Sequence, residues 1–145
     1  YAMGDVGFGS NPNITGLAYT NSVGGANSTQ LFVIDTSNDS LGRIDNPSSG
    51  VISSVGALGI DINARGGFDI SGITGTAFLG AMLEDESATR LYTVNLQTGQ
   101  VTDLGLIDGG LELRTMTVVQ PIPAPGAAAL FGIGGLLAAS RRRRS

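Results

Sequence analysis

LFVIDTSNDSLGRI, residues 31 to 44, reads as a β-type run, a polar turn and a second β-type run. Leu31 to Asp35 is apolar and rich in strand formers, and TSNDS supplies residues that tolerate turn or left-handed backbone. The pattern returns in LYTVN at Leu91 to Asn95, an offset of 60, followed by LQTGQ and the run QVTDLGL. Upstream of each copy stands a second match, ITGLAY at Ile14 to Tyr19 and ITGTAF at Ile73 to Phe78, an offset of 59. Two matches in the same order at nearly the same spacing predict a repeat of about 60 residues with three or four strands per unit. The fold expected is all-β: about two units of propeller-like antiparallel β-meander, in blades or in a stack.

The rest of residues 1 to 118 fits this reading. Further β-type runs are GLAY (16–19), GFDI (67–70), TAFL (76–79), RLYTVNL (90–96) and LRTMTVV (113–119). Between the runs lie NSVGGANST, DNPSSG, NARGG and QTGQ, all clusters of turn-forming residues. No stretch before position 120 holds a helical apolar period for three turns. Two units cannot close a propeller and leave open edges. With Tyr1 in place of a start methionine and no export signal after it, more units are expected upstream, where any export signal would also lie.

Several landmarks together resemble a bacterial family. They are YAMGDVGFGSNPNITGLAYTNS, LFVIDTSNDSLGRIDNP, SSVGALGIDINARGGFDI and LYTVNLQTGQVTDLGLI, in that order over residues 1–119. The family is the domain of unknown function DUF4394, whose resemblance implies the C-terminal part of a secreted, propeller-type β-repeat domain. It implies no activity and no catalytic residues.

Charge separates the chain into two parts. All eight basic residues are arginine, four in the body and four at Arg141 to Arg144, and all twelve acidic residues precede position 113. The body therefore carries −8 and the tail +4. A body of that sign repels phosphate backbones, so nucleic acid is not an expected partner. His, Cys and Trp are absent. That excludes the usual zinc sites, a Ser-His-Asp triad and a cysteine nucleophile, and no cofactor is expected.

The tail divides into a Pro-rich linker (120–125), a short hydrophobic helix of transmembrane type (126–140) and an arginine cluster (141–145). GAAALFGIGGLLAA, Gly126 to Ala139, would span about 21 Å as a helix, against a bilayer core of about 30 Å. Its strongly apolar residues are Leu130, Phe131, Ile133, Leu136 and Leu137. At about −0.3 to −0.6 kcal/mol each they make a marginal anchor. Arg141, Arg142, Arg143 and Arg144 would stop at the anionic cytoplasmic headgroups and leave the body outside.

Pro121, Pro123, Ala124, Pro125 and Gly126, then the apolar run and the arginines, resemble a PEP-CTERM sorting signal. Ala124 stands where that family carries the name-giving Glu. The resemblance implies a Gram-negative host, an exosortase-type membrane processing enzyme as partner, transient anchoring in the inner membrane, and release to the cell surface or extracellular matrix. Ala128 and Gly132 form a small-xxx-small pair that would let another helix approach.

Within the body, DTSNDS (Asp35 to Ser40) offers alternate oxygen ligands, but Ser40 and Asn46 stand where an EF-hand needs Gly and Glu. Glu84, Asp85 and Glu86 read as an acidic loop rather than glycosidase carboxylates, and Asp61 and Asp69 as strand-end residues bonding backbone N–H groups. The glycosylation triplets at Asn13, Asn27 and Asn38 are expected by chance in a chain this rich in Asn, Ser and Thr. The function expected is non-catalytic: an exported structural or binding module with extracellular polysaccharide or a surface protein as partner. The competing expectations are a glycan-processing propeller enzyme with some catalytic carboxylates upstream, and a permanently anchored membrane protein.

Overall fold

The computed structural model describes residues 1–119; the linker, helix and arginine cluster expected at 120–145 lie outside the described residues. The described chain forms eight strands: β1 (Ile14–Tyr19), β2 (Leu31–Asp35), β3 (Ser40–Ile44), β4 (Ser53–Ala57), β5 (Ile62–Ile70), β6 (Ala77–Leu83), β7 (Thr89–Val94) and β8 (Val101–Leu106). They make two four-stranded sheets, β1-β2-β3-β4 and β5-β6-β7-β8, each an antiparallel meander in chain order. The helix content described is one 3₁₀ turn at Asp108–Gly110. Among the described residues no helix is long and apolar enough to cross a membrane.

The opening hairpin forms as its residues dictate. β2 and β3 pair from Leu31↔Ile44 to Asp35↔Ser40, closing a four-residue loop. The Asp35 carboxylate accepts the Ser37 N–H at 2.9 Å, and Asp39 takes a left-handed φ of 44°. The β7–β8 hairpin uses the same chemistry. Asn95 Oδ1 accepts the Gln97 N–H at 2.8 Å, and Gly99, in the place of Asp39, has φ 83°. A short polar side chain followed by a residue able to turn left-handed is what such a loop needs.

That shared chemistry corrects the period. From Ile14 to Ile62, and from Ser53 to Val101, the sheets repeat at 48 residues, not 60. The LFVID/LYTVN match sets β2 beside β7, and ITGLAY/ITGTAF sets β1 beside the head of β6. Both are one strand out of step. The sequence repeats a hairpin, and that hairpin is the middle one of the first sheet and the last one of the second.

Two other expectations are revised. NARGG is not a turn between elements but part of β5, where the register slips between Ile62 and Gly66 and Asn63 Oδ1 accepts the Arg65 N–H at 2.9 Å. An Asx-capped bulge uses the same residues as a loop. LRTMTVV is not a strand; it lies across a sheet face and joins no ladder. β4, SSVGA, escaped sequence reading because it has almost no strand formers and sits on a sheet edge.

The core lies between the sheets. Phe32, Ile34 and Leu41 meet Phe68, Ile70, Leu79 and Tyr92, with Leu58 from the connecting segment. Each such side chain contributes about 1.5–3 kcal/mol on burial. β2 is buried along its whole length because Leu31 and Val33 point to the other face, against Ile52. Glycines set how closely the sheets approach. A Cβ on Gly16 would meet Phe68 Cβ at 2.7 Å, and one on Gly56 would strike the Thr98 carbonyl at the β7–β8 turn. The connection stitches the same end, with Leu58 N–H donating to Asp39 O at 2.8 Å and Val101 N–H to Leu58 O at 3.1 Å.

Gly56→Val should therefore destabilise the fold by about 1–3 kcal/mol in urea unfolding. Gly24→Ala, whose added methyl meets nothing within 4 Å, should stay within about 0.5 kcal/mol of wild type. Equal midpoints for the two would refute the close approach.

Candidate functional site

Residues 1–10 carry few strand formers, and they fold over the β3–β4 edge because their polar groups find partners there. The Asp5 carboxylate accepts Ser54 N–H at 2.8 Å, Ser54 Oγ–H at 2.5 Å and Gly7 N–H at 2.8 Å. Ala2 N–H donates to Ile52 O at 2.8 Å. The Tyr1 ring packs on the Gly7 backbone, where a Cβ would meet ring carbons at 2.7 Å. The Ser54 hydroxyl, more than any other donor, holds the Asp5 carboxyl below its ordinary range, and the Gly7 and Ser54 N–H groups add to it.

Asp35 is the second anchor and is fully buried, at 0 % exposure. Its Oδ2 accepts Tyr1 O–H and Asn38 Nδ2–H, both at 2.6 Å, and its Oδ1 accepts Asn13 N–H and Ser37 N–H, both at 2.9 Å. Burial is the largest single influence and pushes its pKa up, but the four donors together outweigh it and leave it below the ordinary value. Burial first, and then the bond to Asp35, pushes the Tyr1 phenol up.

Between this loop and the sheet edge opens a cleft of about 200 Å³. Tyr1, Asn38, Ser40 and Ser54 supply hydroxyl and amide groups; Val6 and Ala57 supply apolar walls; Gly7 and Gly56 leave backbone bare. A shallower groove of about 400 Å³ lies on the other side of Ser54, bounded by Arg43, Val55, Leu96 and Gln97. Arg43 there is paired with Asp45, Nε to Oδ1 at 2.7 Å. With the donors of Tyr1, Asn38 and Ser54 committed to Asp35, Ser10 and Asp5, the cleft offers their oxygen lone pairs and the Ser40 hydroxyl beside apolar contact, a surface able to hold a hydroxyl-rich ligand.

The residues singled out from sequence fall elsewhere or are already engaged. In DTSNDS, both Asp35 oxygens are filled by protein donors, and Asp39 Oδ1 accepts Ile62 N–H at 3.0 Å. Burial pushes the Asp39 carboxyl up against that bond, helped by the charges of Asp61 and Asp35. Glu84, Asp85 and Glu86 lie exposed in the β6–β7 loop. Asp69 does bond backbone N–H groups, those of Ile70 at 2.8 Å and Val118 at 2.6 Å. Asp61 contributes its backbone carbonyl, to Glu84 N–H at 3.2 Å. Asn13 Nδ2 donates to Thr36 Oγ1 at 3.1 Å, and Asn27 is exposed in the β1–β2 loop.

Among the described residues no group of three or more His, Cys, Asp or Glu could hold a metal. Pro121, Pro123, Ala124, Pro125, Gly126 and Arg141 to Arg144 lie outside the described residues. Sequence reading missed Tyr1, Asp5 and Ser54. The only local signal was Asp5-Val6-Gly7, a side-chain acceptor two residues before a bare N–H.

The Asp35 and Asp5 shifts set a pH dependence. Both carboxyls are lowered by folding, so their contribution is complete above the unfolded value of about 4 and is lost as pH falls through the folded values. Asp35→Asn should cost about 1–3 kcal/mol at neutral pH, because buried donors lose a charged acceptor. It should also flatten the fall in stability below about pH 4. Urea titrations across that range would show both effects; an unchanged acid slope would mean that the Asp35 contacts do not favour the carboxylate.

A family model described as "Domain of unknown function (DUF4394)" matches residues 1–117. No curated protein and no solved structure matches the chain. The matched span takes in both sheets, the amino-terminal loop and the cleft. On that span, the chain belongs to the DUF4394 family.

Proposed function

We propose that this is an exported, non-catalytic β-repeat module that binds a neutral polysaccharide at the cell surface or in the extracellular matrix. The observation that carries the reading is the employment of the body's carboxylates. Asp5, Asp35, Asp69 and Asp103 are bonded to the protein's own donors, Asp103 to Arg90 Nε at 2.9 Å. A general acid or base needs a carboxylate facing substrate; these four are committed to the protein's own donors, and the exposed Glu84, Asp85 and Glu86 do not line the cleft. Hydroxyls, an amide and bare backbone line the cleft instead, which suits sugar hydroxyls, and a body charge of −8 disfavours polyanions.

Two stacked four-stranded meanders with one shared core support a propeller-type assembly, each sheet acting as a blade. The tail is read as a PEP-CTERM type signal, with Pro121, Pro123, Ala124, Pro125 and Gly126 leading into the apolar run and Arg141 to Arg144. An exosortase-type enzyme would remove it after transient anchoring. The weakness of the apolar run as an anchor and the placing of the arginines beyond it support that order.

Expression of the full open reading frame in a host with the processing enzyme should yield surface protein whose intact mass lacks Arg141 to Arg144. Surface protein that retains them would overturn the sorting reading. Titration of the mature protein with neutral oligosaccharides should shift the amide resonances of Ser40 and Ser54 before those of β6 or β7. Saturable binding that leaves both resonances unmoved would place the ligand elsewhere.

A further inference from the structure

The side-chain protons around the cleft are turned away from it. Tyr1 Oη donates to Asp35 Oδ2 at 2.6 Å, and Ser54 Oγ donates to Asp5 Oδ1 at 2.5 Å. Asn38 Nδ2 donates to Asp35 Oδ2 at 2.6 Å and to Ser10 Oγ at 3.3 Å, so both of its protons are engaged. Gly7 N–H follows the same direction, to Asp5 Oδ1 at 2.8 Å. Ser40 Oγ stands 3.4 Å from Tyr1 Oη, and with the phenol proton on Asp35 the Ser40 hydroxyl is the donor of that pair.

What faces the cleft is oxygen: lone pairs on Tyr1 Oη, Ser40 Oγ, Asn38 Oδ1 and Ser54 Oγ. A free hydroxyl can donate or accept as its ligand requires. Here the two carboxylates behind the lining fix the direction, because a charged acceptor holds a proton more firmly than a neutral ligand atom does. Both carboxyls lie below their ordinary range and are charged at neutral pH. Among the described residues no cationic side chain lines the cleft, and Arg43, across Ser54, is paired with Asp45. A ligand atom that brings lone pairs therefore meets lone pairs. A hydroxyl offers one proton and carries two lone pairs with it; an ammonium offers three protons and has none.

We infer that the cleft selects an amino sugar: the ammonium of a residue without its N-acetyl group, carried in an otherwise neutral polysaccharide, donates to these oxygens while the ring lies against Val6 and Ala57. The inference rests on the polysaccharide reading and names the unit that enters. A cleft of about 200 Å³ takes one sugar ring, so selection falls on a single residue of the polymer. Ring hydroxyls beside the amine reach the oxygens that the ammonium leaves. A lysine side chain has no donors next to its ammonium and fills one group of acceptors only. An acetylated amine keeps one proton, loses the charge and brings a carbonyl. Carboxylated or sulfated sugars add charge of the wrong sign, and the site discriminates against all three by what it repels.

Calorimetric titration of the mature protein tests this with four probes: a glucosamine pentamer, its fully N-acetylated counterpart, a glucose pentamer and pentalysine. A buffer of about pH 6 keeps the sugar amines protonated. The glucosamine pentamer should bind at least about ten-fold tighter than either neutral pentamer and should shift the Ser40 and Ser54 amide resonances. It should lose most of that advantage at about 1 M salt, where the screening length falls to about 3 Å. Ala57→Lys sets a rival ammonium at an exposed position of the cleft wall. It should weaken the glucosamine pentamer at least about ten-fold and the glucose pentamer by less than about three-fold, with the resonances of β6 and β7 unmoved. Equal affinity for charged and neutral pentamers at Ser40 and Ser54 overturns the amine selection and leaves the polysaccharide reading standing. Pentalysine binding as tightly as the glucosamine pentamer overturns the sugar in favour of a lysine of a partner protein. No saturable binding of any sugar overturns the polysaccharide reading, and the inference with it.

Discussion

The carboxylate of Asp35 sits at the junction of three pieces of chain: the β2–β3 loop, the approach to β1 and the amino-terminal loop. It closes the β2–β3 loop through Ser37 and Asn38, fixes the approach to β1 through Asn13, and draws in the amino-terminal loop through Tyr1. A charged group with no exposure to water is costly unless every lone pair finds a donor. Here four donors converge, and among the described residues no buried side-chain polar atom lacks a partner. The cleft exists because this condition is met: the loop that roofs it is held at Tyr1 by Asp35 and at Ser54 by Asp5.

Legibility from sequence followed the range of the interactions. Hairpins could be read because their determinants are local. LFVID and LYTVN each end in a side chain that caps its own loop, and Asp39 and Gly99 can both adopt positive φ. The same locality produced the wrong period. Nothing within fifteen residues distinguishes a hairpin in the middle of a sheet from one at its end; the neighbouring strand decides that. NARGG and LRTMTVV fail in opposite directions for related reasons. A bulge needs turn residues inside a strand, and a β-prone segment stays out of a ladder when a glycine platform offers it a face. The cleft was the least legible feature, since Asp5 and Ser54 are 49 residues apart and neither stands out from its surroundings.

Charge divides the sequence into an acidic body and a basic tail. In the body the acidic residues are largely structural, accepting backbone N–H groups at loops or pairing with arginines, as Asp103 does with Arg90 and Glu112 with Arg65 and Arg114. The arginine cluster has no counterpart in the body, and only the Pro-rich linker and the apolar run separate the two. The sequence thus keeps its acidic residues in the body and gathers four arginines at positions 141–144. Between the two lies the segment laid over Gly67 and Gly80, where an added Cβ would meet Met116 and Leu113.

The two sheets differ in what lies on their outward faces, and the difference gives the molecule a polarity. The second sheet is covered by its own following chain. On the first, Leu17 and Tyr19, the β1 partners of Val33 and Leu31, remain 61 % and 39 % exposed. Part of the first face is filled as well, by Ile52 beside Val33 and by Tyr1 and Asn13 on Asp35, but its β1 margin is left bare. A further sheet therefore has bare apolar surface to land on along β1 of the first sheet, and a cover to displace on the second.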